Sequence, residues 1–216
     1  MYVCTRGQQR QLLLCGDLQD PTTLAWYQAH LPDRVRLVYS DPPWNPGNAT
    51  YWRTHAGRER CDSYDAFLRA WCSVAVACMA RGADDVLVEQ ATNPKHHGML
   101  LDVAGTLPGW MLPDIGRYAV LYGSGSRLLP NLLLHFGRTP IVTDPTGLHG
   151  EAMTRRVFDG LALTPGDWVC DPCMGLGMTS RMAHHYGLNA IGSELNPKRL
   201  ARTVAWLVRR GYTVTP

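Results

Sequence analysis

The chain has 216 residues, 45% of them hydrophobic and 18% charged, with a formal net charge of +3. This is an ordinary globular balance for one domain with a substantial core, and no apolar run approaches the roughly 18 residues of a membrane span. The mild positive charge permits a polyanionic partner without requiring one.

The first residues, Met1–Arg6, lack the apolar core of a signal peptide. The first apolar segment that reads as a strand is Leu12–Cys15, followed by Gly16 and Asp17. A second, Val35–Ser40, runs straight into Asp41-Pro42-Pro43-Trp44, an unusually bulky and rigid way to leave a buried strand. The stretch Tyr51-Trp-Arg53-Thr-His55-Ala-Gly-Arg58-Glu-Arg60 then reads as a charged loop. Tyr64–Arg81 carries Phe67, Trp71, Val74 and Cys78 at helical spacing, with Asp62 or Ser63 as its cap. Strand Asp85–Glu89 and helix Met99–Leu107 follow. Arg117–Tyr122 and Asn131–Phe136, joined through Gly-Ser-Gly-Ser-Arg, read as an antiparallel edge hairpin. Helix Glu151–Leu161, strand Asp167–Asp171, helix Thr179–Tyr186, strand Asn189–Ser193 and helix Pro197–Arg210 complete the chain, with Gly211 as a stop signal. Strand–helix alternation predicts an α/β domain with a mainly parallel, Rossmann-like sheet of about seven strands.

The seven cysteines, at 4, 15, 61, 72, 78, 170 and 173, are odd in number and scattered, which fits reduced thiols in a cytoplasm. Cys170-Asp-Pro-Cys173 has redox or half-zinc spacing, but no second pair accompanies it, so no metal is expected.

In open α/β sheets, ligands sit beyond the carboxyl ends of the strands. Two turns at such ends carry unusual chemistry. One is Asp41–Trp44. The other is Asp171-Pro-Cys-Met-Gly175-Leu-Gly177-Met-Thr179, which opens a helix with two glycines where a ligand could approach the backbone. The following strand closes on Glu194, placed to accept hydrogen bonds from the two hydroxyls of a ribose.

The second turn resembles the D-P-F-x-G-x-G-T-T motif of S-adenosylmethionine-dependent DNA amino-methyltransferases. Asp41-Pro-Pro-Trp44 resembles their catalytic D/N/S-P-P-Y/W/F motif. Leu12-Leu-Leu-Cys-Gly16-Asp17 is similar to their opening "GD" strand, and Ile191-Gly-Ser-Glu194-Leu-Asn-Pro-Lys to their I-G-x-E-x-N-P. The order of these motifs is that of the circularly permuted β-class. The resemblance implies a class I methyltransferase fold over residues 1–216, with a catalytic half at about 11–137, a cofactor half at about 140–216 and no separate target-recognition domain. It implies S-adenosylmethionine as cofactor. Asp171, Cys173, Gly175 and Gly177 would face its methionine end, Glu194 its ribose and Asp17 its adenine amine, with Thr179 in the helix under the loop.

The resemblance also implies a mechanism. Asp41 and a carbonyl near Pro42 would accept the hydrogens of an exocyclic amine, with Pro43 stiffening the turn and Trp44 stacking on the base. DNA, as a duplex with a flipped base or single-stranded, is the expected partner. Asn45, Arg53, His55, Arg58 and Arg60 are candidate substrate contacts, and a homodimer is possible. The family usually shows H-P-T-x-K-P before its cofactor strand. Asp144-Pro-Thr-Gly-Leu148-His149 lacks that lysine, leaving His149 or backbone to replace it. An aspartate at position 41 leans towards adenine N6 in a small phage-type enzyme of short specificity. Cytosine N4, RNA adenine and a catalytically silent subunit remain alternatives.

Overall fold

The computed structural model describes residues 1–61, 63–91, 93–107, 116–122, 131–137 and 147–216; for 91, 94 and 116–122 only the backbone is described. The expected cap at Asp62, the Gly123–Arg127 connection and Asp144-Pro-Thr lie outside these residues.

In chain order the elements are β1 (Tyr2–Arg6), β2 (Gln9–Cys15), α1 (Pro21–His30), β3 (Leu37–Ser40), α2 (Pro46–His55), α3 (Tyr64–Ala80), β4 (Asp85–Ala91), α4 (Pro94–Gly105), β5 (Gly116–Tyr122), β6 (Asn131–Gly137), α5 (Gly150–Asp159), β7 (Trp168–Asp171), α6 (Met178–Tyr186), β8 (Asn189–Glu194), α7 (Pro197–Arg209) and β9 (Thr213–Thr215). The strands of the described residues form one sheet in the order β5-β6-β4-β3-β7-β8-β2-β1-β9. The middle five, β4-β3-β7-β8-β2, are parallel. Antiparallel pairs close both edges.

All seven expected strands are present, and β5 and β6 pair antiparallel at an edge as predicted. The expected count of about seven is corrected to nine by β1 and β9. These form the other edge, where β1 folds back on β2 after Gly7, whose φ of 57° suits a tight turn. Among their residues only Cys4 is buried, so no buried apolar run announces them.

The parallel strands are covered on both faces, which is why β3 is buried throughout. Alternation sends Val38, Val86, Cys170 and Ile191 to one face, against Tyr27 of α1, Trp71 of α3 and Leu100 of α4. Leu37, Tyr39, Leu87 and Val169 point the other way, against Met153 and Phe158 of α5 and Met182 of α6. Leu13 and Met174 meet Leu200 and Leu207 of α7 in a smaller cluster.

Four helices start on an Asx-Pro pair: Asp20-Pro21, Asn45-Pro46, Asn93-Pro94 and Asn196-Pro197. Each Asx side chain accepts a backbone N–H of the first turn, and proline tolerates the position whose N–H has no helical partner. The expected loop over 51–60 is therefore corrected in its first half: Tyr51–His55 is the end of α2. Helix α4 likewise begins at Pro94 rather than Met99.

Candidate active site

The chain leaves β3 towards β4 on one side, and leaves β7 towards β8 on the other. β3 and β7 are neighbours, pairing Leu37 with Val169 and Val38 with Cys170, so the strand order switches direction between them. A crevice at the carboxyl ends is the geometric consequence. It is a cleft of about 520 Å³ lined from β2 by Gly16–Gln19, from β3 by Asp41–Trp44, from β7 by Asp171–Gly175 and from β8 by Glu194. Helices α2 and α7 overhang it with Asn48, Trp52, Arg53 and Arg199. Two turns far apart in sequence thus form one site.

In the Asp41–Trp44 turn, Trp44 Nε1 donates to Asp41 Oδ1 at 2.9 Å, and Oδ2 accepts no hydrogen bond from the described residues. Tyr64, at the start of α3, donates its hydroxyl to the Pro43 carbonyl at 2.6 Å, which occupies that acceptor and anchors the turn. Asp41 is exposed to the cleft, but its walls withhold bulk solvent. That desolvation, reinforced by the nearby Glu89 carboxylate, pushes its carboxyl up to about 7 against the opposing help of Trp44 and Arg199.

The second turn is clamped from within. Buried Asp171 accepts Thr179 Oγ1 at 2.7 Å, Cys173 N at 3.0 Å and Ser40 Oγ at 3.2 Å. Trp71 donates to the same Ser40 hydroxyl at 3.1 Å, so a buried chain links α3, the end of β3 and this turn. Ser193 of β8 donates to the Pro172 carbonyl at 2.9 Å and receives Tyr27 at 3.0 Å. Burial raises Asp171 to about 7 in spite of its three donors. It also raises the Cys173 thiol, further helped by Asp171 and Glu194.

Glu194 is buried at the cleft wall, accepts Asn196 N at 2.8 Å and is also held by the Gly175 N–H. Burial raises its carboxyl, opposed by these N–H groups and by Arg199. Arg199 lies over the Trp52 ring at 4.3 Å, joining α7 to α2 above the cleft. Below, Arg53 forms an ion pair with Asp17 Oδ2 and donates to Gln19 Oε1 at 2.9 Å.

The cleft therefore brings together Asp17, Asp41, Pro42, Pro43, Trp44, Arg53, Asp171, Cys173, Gly175 and Glu194. Other sequence candidates lie elsewhere. Gly177 and Thr179 are outside the lining: Thr179 is spent on Asp171, and a Cβ at Gly177 would sit 2.5 Å from Thr203 Cγ2. Gly177, with φ of 77°, leaves room for Thr203 of α7. Asn45 is occupied in capping α2. His55, Arg58 and Arg60 are exposed and outside the lining, His55 packed on Tyr51 with ring centroids 3.9 Å apart. His149 is exposed and outside the lining, though Gly150 beside it contributes.

Four lining or supporting residues carried no signal in isolation: Tyr64, Glu89, Trp52 and Arg199. Arg199 follows Asn196-Pro-Lys directly and was within reach of the Glu194 motif. The roles of the others depend on contacts across the fold.

No protein-family model matches the chain, and no curated protein does. Solved structures do match. The protein TTHA0409 of Thermus thermophilus, assigned as a DNA modification methylase and crystallised with S-adenosyl-L-methionine, aligns with a TM-score of 0.59 at 16% identity, over 92% of this chain and 93% of that one. The M1.HpyAVI–SAM complex gives 0.61 at 13%, over 91% and 98%. The cytosine-N4-specific PvuII DNA methyltransferase gives 0.61 at 14%, over 90% and 85%. At such identities the likeness establishes the fold: one α/β sheet, mainly parallel, with antiparallel edge pairs.

Proposed function

We propose that the chain transfers a methyl group from S-adenosylmethionine to the exocyclic amine of a base in DNA, with adenine N6 the preferred target. The observation that carries this reading is the convergence of the Asp41–Trp44 turn and the Asp171–Gly175 turn on one cleft. Neighbours of the same fold include proteins crystallised with this cofactor, and a DNA methyltransferase.

The cleft suits such a cofactor by its acceptors. Glu194 keeps lone pairs beyond those used by Asn196 and Gly175, enough for the two hydroxyls of a ribose. Asp17, steadied by Arg53, supplies a carboxylate for the adenine amine, and the Gly175 backbone lines the methionine end. The bound sulfonium supplies an electrophilic methyl, whose C–S bond breaks as the new N–C bond forms.

The remaining work falls to the protein. The lone pair of an exocyclic amine is delocalised into its ring, which makes it a weak nucleophile. Asp41 Oδ2 and the Pro42 carbonyl would accept its two hydrogens and draw the nitrogen towards tetrahedral geometry. The Pro43 carbonyl is already held by Tyr64. Trp44 would stack on the base, and the positioning of amine and methyl supplies much of the rate. The proton lost from the methylated nitrogen passes to Asp41 and then to water. A base must leave the duplex to reach this turn. Arg58 and Arg60, both exposed, would meet phosphates, whereas Arg53 is committed to Asp17.

Purified protein incubated with labelled S-adenosylmethionine and DNA, RNA or free nucleosides tests the reading. Label in DNA, recovered as N6-methyladenine after digestion and mapped to a context of about one to three bases, is expected. Label in cytosine or only in RNA moves the target, and no transfer to any acceptor overturns the reading.

A further inference from the structure

The cleft holds a carboxylate that the reaction described above does not use. Glu89 lies near the end of β4, and the parallel register that pairs Ser40 with Val88 places Asp41 beside Glu89 one step further on. Neighbouring strands run about 4.8 Å apart, and residues 39, 41, 87 and 89 share one face by alternation. A hydrogen-bonded chain fixes Glu89 there. The buried Tyr39 hydroxyl donates to Glu89 Oε1 and lies 3.1 Å from Thr154 Oγ1 of α5. Two carboxyl groups are thus held side by side in a cleft shielded from bulk water.

We propose that Glu89, held by Tyr39 at the strand position next to Asp41, is a positioning residue for Asp41 and makes it the base that takes the proton of the methylated amine. The inference rests on the methyl-transfer reading above. The direction is supported by Asp41 itself, raised to about 7 by desolvation first and Glu89 next. Other groups facing the pair are Asp171 at the end of β7, which adds to the rise, and Arg199 of α7 and Trp44 Nε1, which oppose it. Arg181 of α6 and Glu194 of β8 line the same cleft. A base with proton affinity near the working pH is the efficient choice for proton removal.

Nuclear magnetic resonance titration of the side-chain carboxyl carbons reads the proposal without any substrate, with Asp41→Asn identifying the Asp41 signal. The expected Asp41 midpoint lies near 7, and Glu89→Gln, which keeps an acceptor for Tyr39, lowers it by at least about one unit. An unchanged midpoint in Glu89→Gln overturns the proposal. Should that variant not fold, the wild-type protein decides. Asp41 and Glu89 must each show two inflections at shared pH values, as coupled groups do, and independent single titrations overturn the coupling. In methyl-transfer assays, the acid limb of the kcat profile should move down with the midpoint in Glu89→Gln while cofactor affinity stays within about twofold. A shifted midpoint in a protein that methylates nothing would uphold the pair and sink the methyl-transfer reading instead.

Discussion

The two turns that make the cleft are held in opposite ways. The Asp171–Gly177 turn is fixed from within, by a buried carboxylate with three donors and by Ser193 beneath it. The Asp41–Trp44 turn has one internal hydrogen bond, from Trp44, and is otherwise steadied from outside by Tyr64. Helix α2 behind it buries only Ala49 and is tied down through Arg53–Asp17 and Trp52–Arg199. The difference matches the demands proposed for each. A pocket for one constant cofactor gains from preorganisation, whereas a turn that must admit an extruded base gains from fewer fixed internal bonds.

If that division is right, variants on the two sides should separate binding from turnover. Asp41→Ala should produce the largest change, a loss of turnover of at least about 100-fold, the lower range for a positioned acid–base group. Its S-adenosylmethionine affinity, measured by calorimetry, should stay within a few-fold of wild type; retained turnover would remove Asp41 from the chemistry.

Glu194→Ala should do the reverse. Loss of a charged acceptor is worth roughly 1.5–3 kcal/mol, so the cofactor dissociation constant should rise at least about tenfold, with turnover largely kept at saturating cofactor. Unchanged affinity would place the ribose elsewhere.

Gly177→Ala sharpens the assignment of that glycine to packing. A Cβ would meet Thr203 Cγ2 at 2.5 Å and Oγ1 at 2.7 Å, on backbone already at φ of 77°. Destabilisation of about 1–3 kcal/mol is expected in urea unfolding. Adding Thr203→Ala should recover part of it, whereas a purely ligand-directed glycine would show neither effect.

The smallest effect concerns pH. Folding raises Asp171 to about 7, above its unfolded value of roughly 4, so the native state binds more protons across that interval. Stability therefore declines as pH rises through this window and is lower at pH 8 than at pH 6. Thermal melting should show a lower midpoint at pH 8, and Asp171→Asn should narrow the gap; an unchanged gap would assign the dependence to Asp41 or Glu194, which are raised in the same direction.

Local sequence determined much of this molecule. Strands buried on both faces must be apolar along their whole length, so β3 and its parallel neighbours were legible as runs. Their ends stood out because Asp41-Pro-Pro-Trp44 and the Gly175/Gly177 turn are costly ways to leave a strand unless something is built there. Helix α3 was legible from its periodic apolar face, and α7 from its first-turn proline and terminal glycine. Helix α2 was not, because its Asn45-Pro46 start leads into a segment with no apolar stripe, and α2 is completed by pairings with Asp17 and Arg199. The edge strands β1 and β9 were equally silent, since short strands without a buried apolar run are specified by the neighbour they pair with. Only the tertiary structure decided that Arg53 turns inward, that Gly177 yields space to α7, and that Glu89 stands beside Asp41. Each of these depends on the distance between atoms far apart in the chain, and periodicity and spacing carry no information about such distances.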